Sequence, residues 1–290
     1  MKALILINAY AHMHAVNSQV RRLREELERQ GVEVDIRRNG TLAAAVREDG
    51  HSRIAVEDYA FCIYLDKDPY AAQMMEQQGL RLFNPHDGIQ VCDDKMETFL
   101  RLANRGIPMP HTIPAPLCYY PDTPIQQEWL DEVADRLGLP LIVKECNGSL
   151  GAQVYLVTTR DALYATAARL QGKRHLYQRF VAPSAGRDLR VIVVGGKAVA
   201  AMERVSDTDF RSNIELGGHG EKVDLSADAA RICEDAATAL GLDYCGVDLL
   251  FGERGFLLCE VNSNAFFEGV EATTHVNVAA AYVQHILASL

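Results

Sequence analysis

YCGVDLLFGERGFLLCEVNS, residues 244–263, contains two apolar runs joined by a glycine-flanked turn. Tyr244 to Phe251 and Phe256 to Val261 read as strands, and Gly252 to Gly255 reads as the hairpin turn between them. Asp248 stands inside the first run, where an unpaired carboxylate is costly to bury, so a compensating group is required. Glu260 and Asn262 lie two apart on the second strand and share one face, with Cys259 and Val261 on the other. If the strands pair through the turn, Asp248 faces Glu260 across the ladder. Adjacent carboxylates repel unless a proton or cation lies between them, and an added amide oxygen gives an all-oxygen set suited to magnesium. One acid in an edge strand would simply be solvated. Three such groups in this arrangement favour a hard divalent site at Asp248, Glu260 and Asn262.

Upstream of this hairpin, a helix over Ala227 to Leu240 interrupts a series of strands: His175 to Phe180, Leu189 to Val194, and Ala198 to Val205 after a turn at Gly195-Gly196. Arg190 and Arg204 flank that turn's hairpin and can point to one end of the sheet. Single surface arginines are usually solvated, but a pair placed this way suits an anionic tetrahedral intermediate or a substrate carboxylate. Earlier still, Lys144 ends the apolar run Leu139 to Glu145. Cys146-Asn147-Gly148-Ser149-Leu150-Gly151 follows, before a strand at Val154 to Val157. Glycines let backbone N–H groups approach an anion and a strand-anchored lysine supplies a point charge, so the loop resembles a phosphate lid. Alone it would be an ordinary hairpin, and no Walker A pattern is present.

The first third has a different rhythm. Ala3 to Ile7 reads as a buried strand, Asn17-Ser18 as the N-cap of a helix with Val20, Leu23 and Leu27 on one face, and Gly31 as its stop. Strands at Val32 to Ile36, Ala60 to Leu65 and Leu80 to Phe83, with a helix over Pro69 to Gln78, predict a small α/β domain with a parallel sheet over residues 1–92. Asp93-Asp94-Lys95 then heads a helix carrying Met96, Phe99, Leu100 and Ala103, ended by Gly106, Pro108 and Pro110. Pro114 to Pro124 reads as a surface connection, followed by a helix over Glu128 to Leu137.

Composition narrows the class. A chain of 290 residues with 48% apolar content can build more than one core. Its formal net charge of −10 argues against broad nucleic-acid binding and favours small-molecule partners. Seven scattered cysteines without a C-x-x-C pair fit core residues in a reducing compartment. Lys2 to Ala11 lacks the pattern of a signal peptide, and no run approaches the roughly 20 apolar residues of a membrane span, so a soluble cytoplasmic protein is expected, with no membrane partner. A nicotinamide-dependent oxidoreductase would need a glycine-rich turn after the first strand, where Asn8-Ala9-Tyr10-Ala11-His12 has none. His12-Met13-His14 has no carboxylate partner in view and reads as a surface or substrate-side segment.

Taken in order, Lys95, Lys144 with its glycine loop, Gln178-Arg179-Phe180-Val181, Gly186-Arg187-Asp188-Leu189-Arg190, Phe210-Arg211-Ser212-Asn213, Gly246-Val247-Asp248 and Glu260-Val261-Asn262-Ser263 resemble the RimK-type branch of the ATP-grasp family. The resemblance runs from about Asp93 to the end. It implies an α/β and α+β architecture: the N-terminal domain, then a central subdomain over residues 93–177 with the phosphate lid, and a C-terminal subdomain over residues 178–290 with the metal site. It implies an ATP clamped between the two subdomains, with Lys95, Lys144, Gly148, Ser149 and Gly151 on its phosphates and Gln178, Arg179, Phe180 and Val181 along its adenine. Asp188 would approach the ribose, and Arg211, Ser212 and Asn213 would line the nucleotide and substrate pocket. Asp248, Glu260 and Asn262 match the family's magnesium ligands, with Mn2+ an alternative metal. Arg204, supported by Arg190, is the candidate to stabilise the anionic centre.

Such enzymes phosphorylate a carboxylate and let an amine displace phosphate, forming an amide. The implied partners are ATP and small carboxylate and amine substrates, one of them an amino acid, or a peptide or carrier-protein terminus. Dimers or tetramers are common in the family, so a homo-oligomer is an expectation. Arg179 stands where the branch often carries an acid, Gln153 replaces a late lid glycine, and Ala265-Phe266-Phe267 replaces the usual Pro-Gly. The last change places two aromatic rings beside the expected substrate pocket. A non-catalytic nucleotide-binding protein that kept the fold stays open as the alternative.

Overall fold

Continuous apolar runs buried on both faces are the mark of parallel strands, and β1 (Lys2–Ile7) begins one: Ala3 to Ile7 are all buried. A computed structural model of the chain describes residues 1–120, 123–149 and 151–290. Pro121 and Asp122 of the proline-rich connection and Leu150 of the glycine loop lie outside the described residues. Around β1 stand α1 (His14–Arg29), β2 (Glu33–Arg38), a short hairpin of β3 (Ala44–Val46) and β4 (Ser52–Ile54), β5 (Phe61–Leu65), α2 (Pro69–Gln77), β6 (Arg81–Phe83) and α3 (His86–Asp93). The four-stranded sheet has the order β2-β1-β5-β6 with every pair parallel.

Helix α1 starts earlier than its sequence suggests. It begins at His14, and Ser18 lies inside it. The buried Ser18 hydroxyl donates to Glu268 at 2.9 Å, so a residue suited to capping is used to tie α1 to the C-terminal region. Asp68 does cap α2, accepting from the amides of Tyr70 and Ala71, with Pro69 in the first turn.

Helix α4 (Lys95–Leu102) follows, its N-cap Asp94 accepting from Met96 and Glu97 amides. A second sheet is then built from β7 (Thr112–Pro114), β8 (Leu141–Glu145), β9 (Val154–Val157) and β10 (His175–Arg179), in the order β7-β10-β8-β9, all antiparallel. Helices α5 (Gln127–Leu137) and α6 (Arg160–Leu170) cover one face, Leu130, Val133 and Leu163 packing with Tyr177 of β10.

The third sheet holds β11 (Arg187–Val194), β12 (Lys197–Val205), β13 (His219–Lys222), β14 (Tyr244–Gly252) and β15 (Gly255–Asn262), with α7 (Ala227–Ala239) between β13 and β14. Its order is β13-β12-β11-β14-β15, antiparallel throughout. Helices α8 (Glu268–Thr274) and α9 (Val278–Ala288) end the chain. The two-residue period of a strand separates the two faces. Leu189, Val191, Val247 and Leu258 pack on α7 and α4, whereas Ile192, Val194, Met202 and Tyr244 join β1, α1 and α9 in a second core. Along β11 and β12 this latter face changes from apolar to charged, because Arg190, Asp188 and Arg204 continue it toward one end. Buried Asn84 fixes the first sheet against this one, donating to the carbonyls of Tyr244 and Ser263 at 2.7 Å each and accepting the Tyr244 amide at 2.9 Å.

Candidate active site

Asp248 lies opposite Glu260 in the β14–β15 ladder, and Asn262 lies two residues beyond Glu260 opposite Gly246. The charge that the sequence required beside Asp248 is present in protein form. Arg190, register partner of Asp248 on β11, grips both carboxylate oxygens, with Nη2 to Oδ2 at 2.9 Å. Arg204 Nη2 reaches the same Oδ2 at 2.9 Å and holds Asp188 with two bonds of 2.7 and 2.5 Å. The two guanidiniums and two carboxylates form a buried neutral network, with Arg204 and Asp248 each 4% exposed. Burial pushes the Asp248 carboxyl up, but Arg190 and Arg204 outweigh it and hold the group below the usual carboxylate range.

Lys95, buried at the start of α4, connects the other groups. Its ammonium stands 3.3 Å from Glu260 and donates to the Gly148 carbonyl at 3.0 Å. Lys144 on β8 faces β15, Nζ to Cys259 Sγ at 3.4 Å. Arg211 donates to the Gly151 carbonyl at 2.6 Å and pairs with Asp209 at 2.7 Å, fixing the loop's far end. Gln153 packs beneath Gly148 with its Oε1 buried and without a hydrogen-bond partner.

These groups surround a cavity between the second and third sheets, lined by Lys95, Lys144, Gly148, Ser149, Gly151, Gln178, Arg179, Phe180, Val181, Asp188, Arg204, Arg211, Ser212, Asn213, Asp248 and Glu260. Arg190 and Asn262 line a neighbouring cavity of ≈ 520 Å³ that shares Arg204, Asp248 and Glu260. Buried Gln178 donates to Thr112 Oγ1 at 2.8 Å. The Arg179 side chain turns instead to the carbonyls of Leu137 and Arg136 at 3.3 and 3.2 Å, where a cation complements the C-terminus of α5.

The donor set suits a hard divalent cation. Asp248 and Glu260 are adjacent, Asn262 supplies a third oxygen, and the buried Asn262 Nδ2 has no hydrogen-bond partner. Among the described residues no three His, Cys, Asp or Glu side chains converge on a metal position, so the amide is essential to the set. Sequence reasoning did not single out Asn8, Asp66 and Lys67, which line the second cavity. Their signal was positional: Asn8 and Asp66 follow β1 and β5, and ligands of parallel sheets collect beyond the strands' carboxyl ends.

Two substitutions test the surroundings. A Cβ on Gly246 would stand 2.5 Å from Ala265 Cβ and 3.3 Å from Arg190 Cδ, so Gly246→Ala is expected to cost about 1–3 kcal/mol in denaturant unfolding and to displace Arg190. Burial pushes the Cys146 thiol up to about 12, so it is no nucleophile near neutral pH. Cys146→Ser should keep ADP formation within about twofold of the parent.

A protein-family model described as the RimK-like ATP-grasp domain matches residues 92–286. A probable alpha-L-glutamate ligase of Xanthomonas euvesicatoria pv. vesicatoria (strain 85-10) is 37% identical over 221 residues, covering 74% of this chain and 71% of that protein. Human N-acetylaspartylglutamate synthase A is 32% identical over 228 residues, covering 78% of this chain; the chain spans 57% of that longer relative. The solved ATP-grasp ligase PsnB, complexed with a phosphomimetic variant of minimal precursor, Mg and ADP, matches 99% of this chain and 97% of its own with a TM-score of 0.71 at 18% identity, a likeness of fold.

Proposed function

The chain belongs to the RimK-like ATP-grasp family, and from that premise we propose that it is an ATP-dependent carboxylate–amine ligase with an amino acid as one substrate. The observation that carries this reading is the cavity between the second and third sheets, where two lysines, a glycine loop and the Asp248–Glu260 pair converge. No helix is long and apolar enough to cross a membrane among the described residues.

In the proposed reaction the γ-phosphoryl group of ATP passes to a substrate carboxylate, releasing ADP and leaving an acyl phosphate. An amine then attacks the acyl carbon, phosphate departs, and the amine loses a proton, giving an amide. Residues 93–177 and 178–290 are the two halves that close on the nucleotide. Lys95 and Lys144 hold phosphate oxygens, Gly148 to Gly151 cover them, and Gln178 to Val181 follow the adenine. Asp188 is placed on the ribose side, with Arg211, Ser212 and Asn213 along the pocket. Asp248, Glu260 and Asn262 would hold Mg2+, with Mn2+ as a substitute, and the ion supplies charge neutralisation along the phosphates.

Lys95 has a particular task. Its ammonium balances Glu260 at 3.3 Å and lies in the cavity lining, so it would be free to hold a phosphate oxygen if Glu260 were engaged by a divalent cation. Arg204 and Arg190, held in place by Asp188 and Asp248, would offer oriented N–H donors to the anionic centre with little reorganisation, although the network as a whole is neutral. The lid from Lys144 to Val157, the end of β8 with β9 and the segment joining them, would close over the acyl phosphate and exclude water.

The test is ADP formation by the purified protein with Mg2+ and ATP against pooled amino-acid donors and acceptors. ADP release that depends on one pool and disappears in Glu260→Gln supports a ligase. Tight ATP binding without ADP formation under any pool would favour a non-catalytic role.

A further inference from the structure

The ≈ 520 Å³ cavity beside the nucleotide site has two unlike ends. At one end are Asp248, Glu260 and Asn262. At the other are the residues following two parallel strands, Asn8 after β1 and Asp66 after β5. Asp66 is only 4% exposed, and its carboxylate accepts hydrogen bonds from neutral donors: Asn8 Nδ2 at 2.9 Å, the Lys67 amide at 2.7 Å and Asn39 Nδ2 at 3.0 Å. Among the described residues it has no ion-pair partner; the ammonium of neighbouring Lys67 turns to Asp93 at 2.8 Å. A buried carboxylate without a countercharge is costly, so this end of the cavity is made for a cation.

The other side chains agree. Asn264 lines the same cavity with its Oδ1 buried and without a hydrogen-bond partner, an acceptor awaiting a donor. The lysine and arginine side chains in the lining, Lys67, Arg190 and Arg204, are already paired with Asp93, Asp248 and Asp188, and His12 contacts the Tyr10 carbonyl. Glu215 and Glu268 add further negative charge. A second substrate carboxylate would find no uncommitted lysine or arginine here. The lining also holds Met13, Val16, Leu65, Met202 and Phe266, apolar surface suited to methylenes.

Resting on the ligase reading above, we infer that this cavity takes a substrate with one carboxylate at the metal end and an ammonium on Asp66 and Asn264, joined by an apolar stem. The chemical class is a basic or ω-amino acid, and dicarboxylates such as glutamate are disfavoured.

The experiment is calorimetric binding to the full chain with Mg2+ and a non-hydrolysable ATP analogue already bound, using L-lysine, 6-aminohexanoate, hexanoate and L-glutamate. L-lysine and 6-aminohexanoate, which carry an ammonium at the far end of an apolar stem, are expected to bind at least about tenfold more tightly than hexanoate, the scale of one charge-assisted hydrogen bond, and more tightly than L-glutamate, whose far end is a carboxylate. Asp66→Asn should erase the difference between 6-aminohexanoate and hexanoate while leaving the analogue's affinity unchanged. Hexanoate or L-glutamate binding as tightly as 6-aminohexanoate, or no binding by either amine, overturns the inference on the parent protein alone. Asn264→Leu gives a second variant if Asp66→Asn does not fold. Loss of analogue binding by the parent would instead overturn the ligase reading, and this inference with it.

Discussion

Glu260→Gln is expected to lower ADP formation by roughly 10³-fold, the scale of removing one electrostatic group from a reaction centre, while shifting stability by about 1 kcal/mol or less. The two effects separate because Glu260 holds no buried network. Its side chain is 28% exposed, and among the described residues its ion-pair partner is Lys95, at 3.3 Å. Glutamine keeps the shape and one acceptor oxygen, so β15 and its pairing with β14 are undisturbed. What is lost is the charge that would draw a divalent cation beside Asp248. Lys95 also loses its anionic partner and is left with the Gly148 carbonyl, so its ammonium favours phosphate more strongly. Nucleotide binding measured without metal should therefore hold or tighten while turnover collapses. A coupled ADP assay, a thermal melt and metal-free nucleotide titration make the comparison. Turnover within tenfold of the parent would remove Glu260 from the proposed metal set.

That the carboxylate-bearing hairpin and the arginine pair Arg190 and Arg204 could be picked out without coordinates, and the ion pairs joining them could not, has a physical cause. Facing carboxylates on a hairpin are only partly a local pattern: counted from the Gly252–Gly255 turn, alternation alone sets Asp248 against Cys259, and a register shift between Asp248 and Leu249 brings Glu260 opposite it instead. The pairing of Arg190 with Asp248 joins β11 to β14 across an intervening hairpin and helix, and nothing within either strand dictates that register. The burial cost at Asp248 was legible, but which countercharge met it was not. The same distinction separates the elements. Runs such as Ala3 to Ile7 and Val247 to Phe251 announce themselves, whereas α6, with a weak Ala-rich face, and α8 and α9, which close over the first sheet, depend on tertiary packing. Ser18 shows the converse. Its local chemistry favours an N-cap, and contact with Glu268 250 residues away decides its role instead.

Arg204→Met should be the most destabilising of the site variants, at about 3–5 kcal/mol, because it removes one member of a buried charge network and leaves another uncompensated. Asp248 keeps Arg190, but Asp188 loses its ion-pair partner. Burial already pushes the Asp188 carboxyl up even with Arg204 beside it. Without the guanidinium the folded state should hold Asp188 protonated more tightly than the unfolded chain does. The folded form then binds more protons than the unfolded form, so stability falls as pH rises above the ordinary carboxylate value of about 4. The penalty is therefore expected to be largest near pH 8 and smaller near pH 5. Asp188→Asn in the same chain should recover much of the loss and flatten the pH dependence, since it removes the orphaned charge. Catalysis should not recover with it, because the guanidinium proposed to face the anionic centre is still missing. Urea unfolding of the parent, the single and the double variant at both pH values measures the first effect, and ADP formation measures the second. A pH-independent loss below about 1 kcal/mol in Arg204→Met would mean that Asp188 finds water or another donor there, and that the network is less closed than its distances imply.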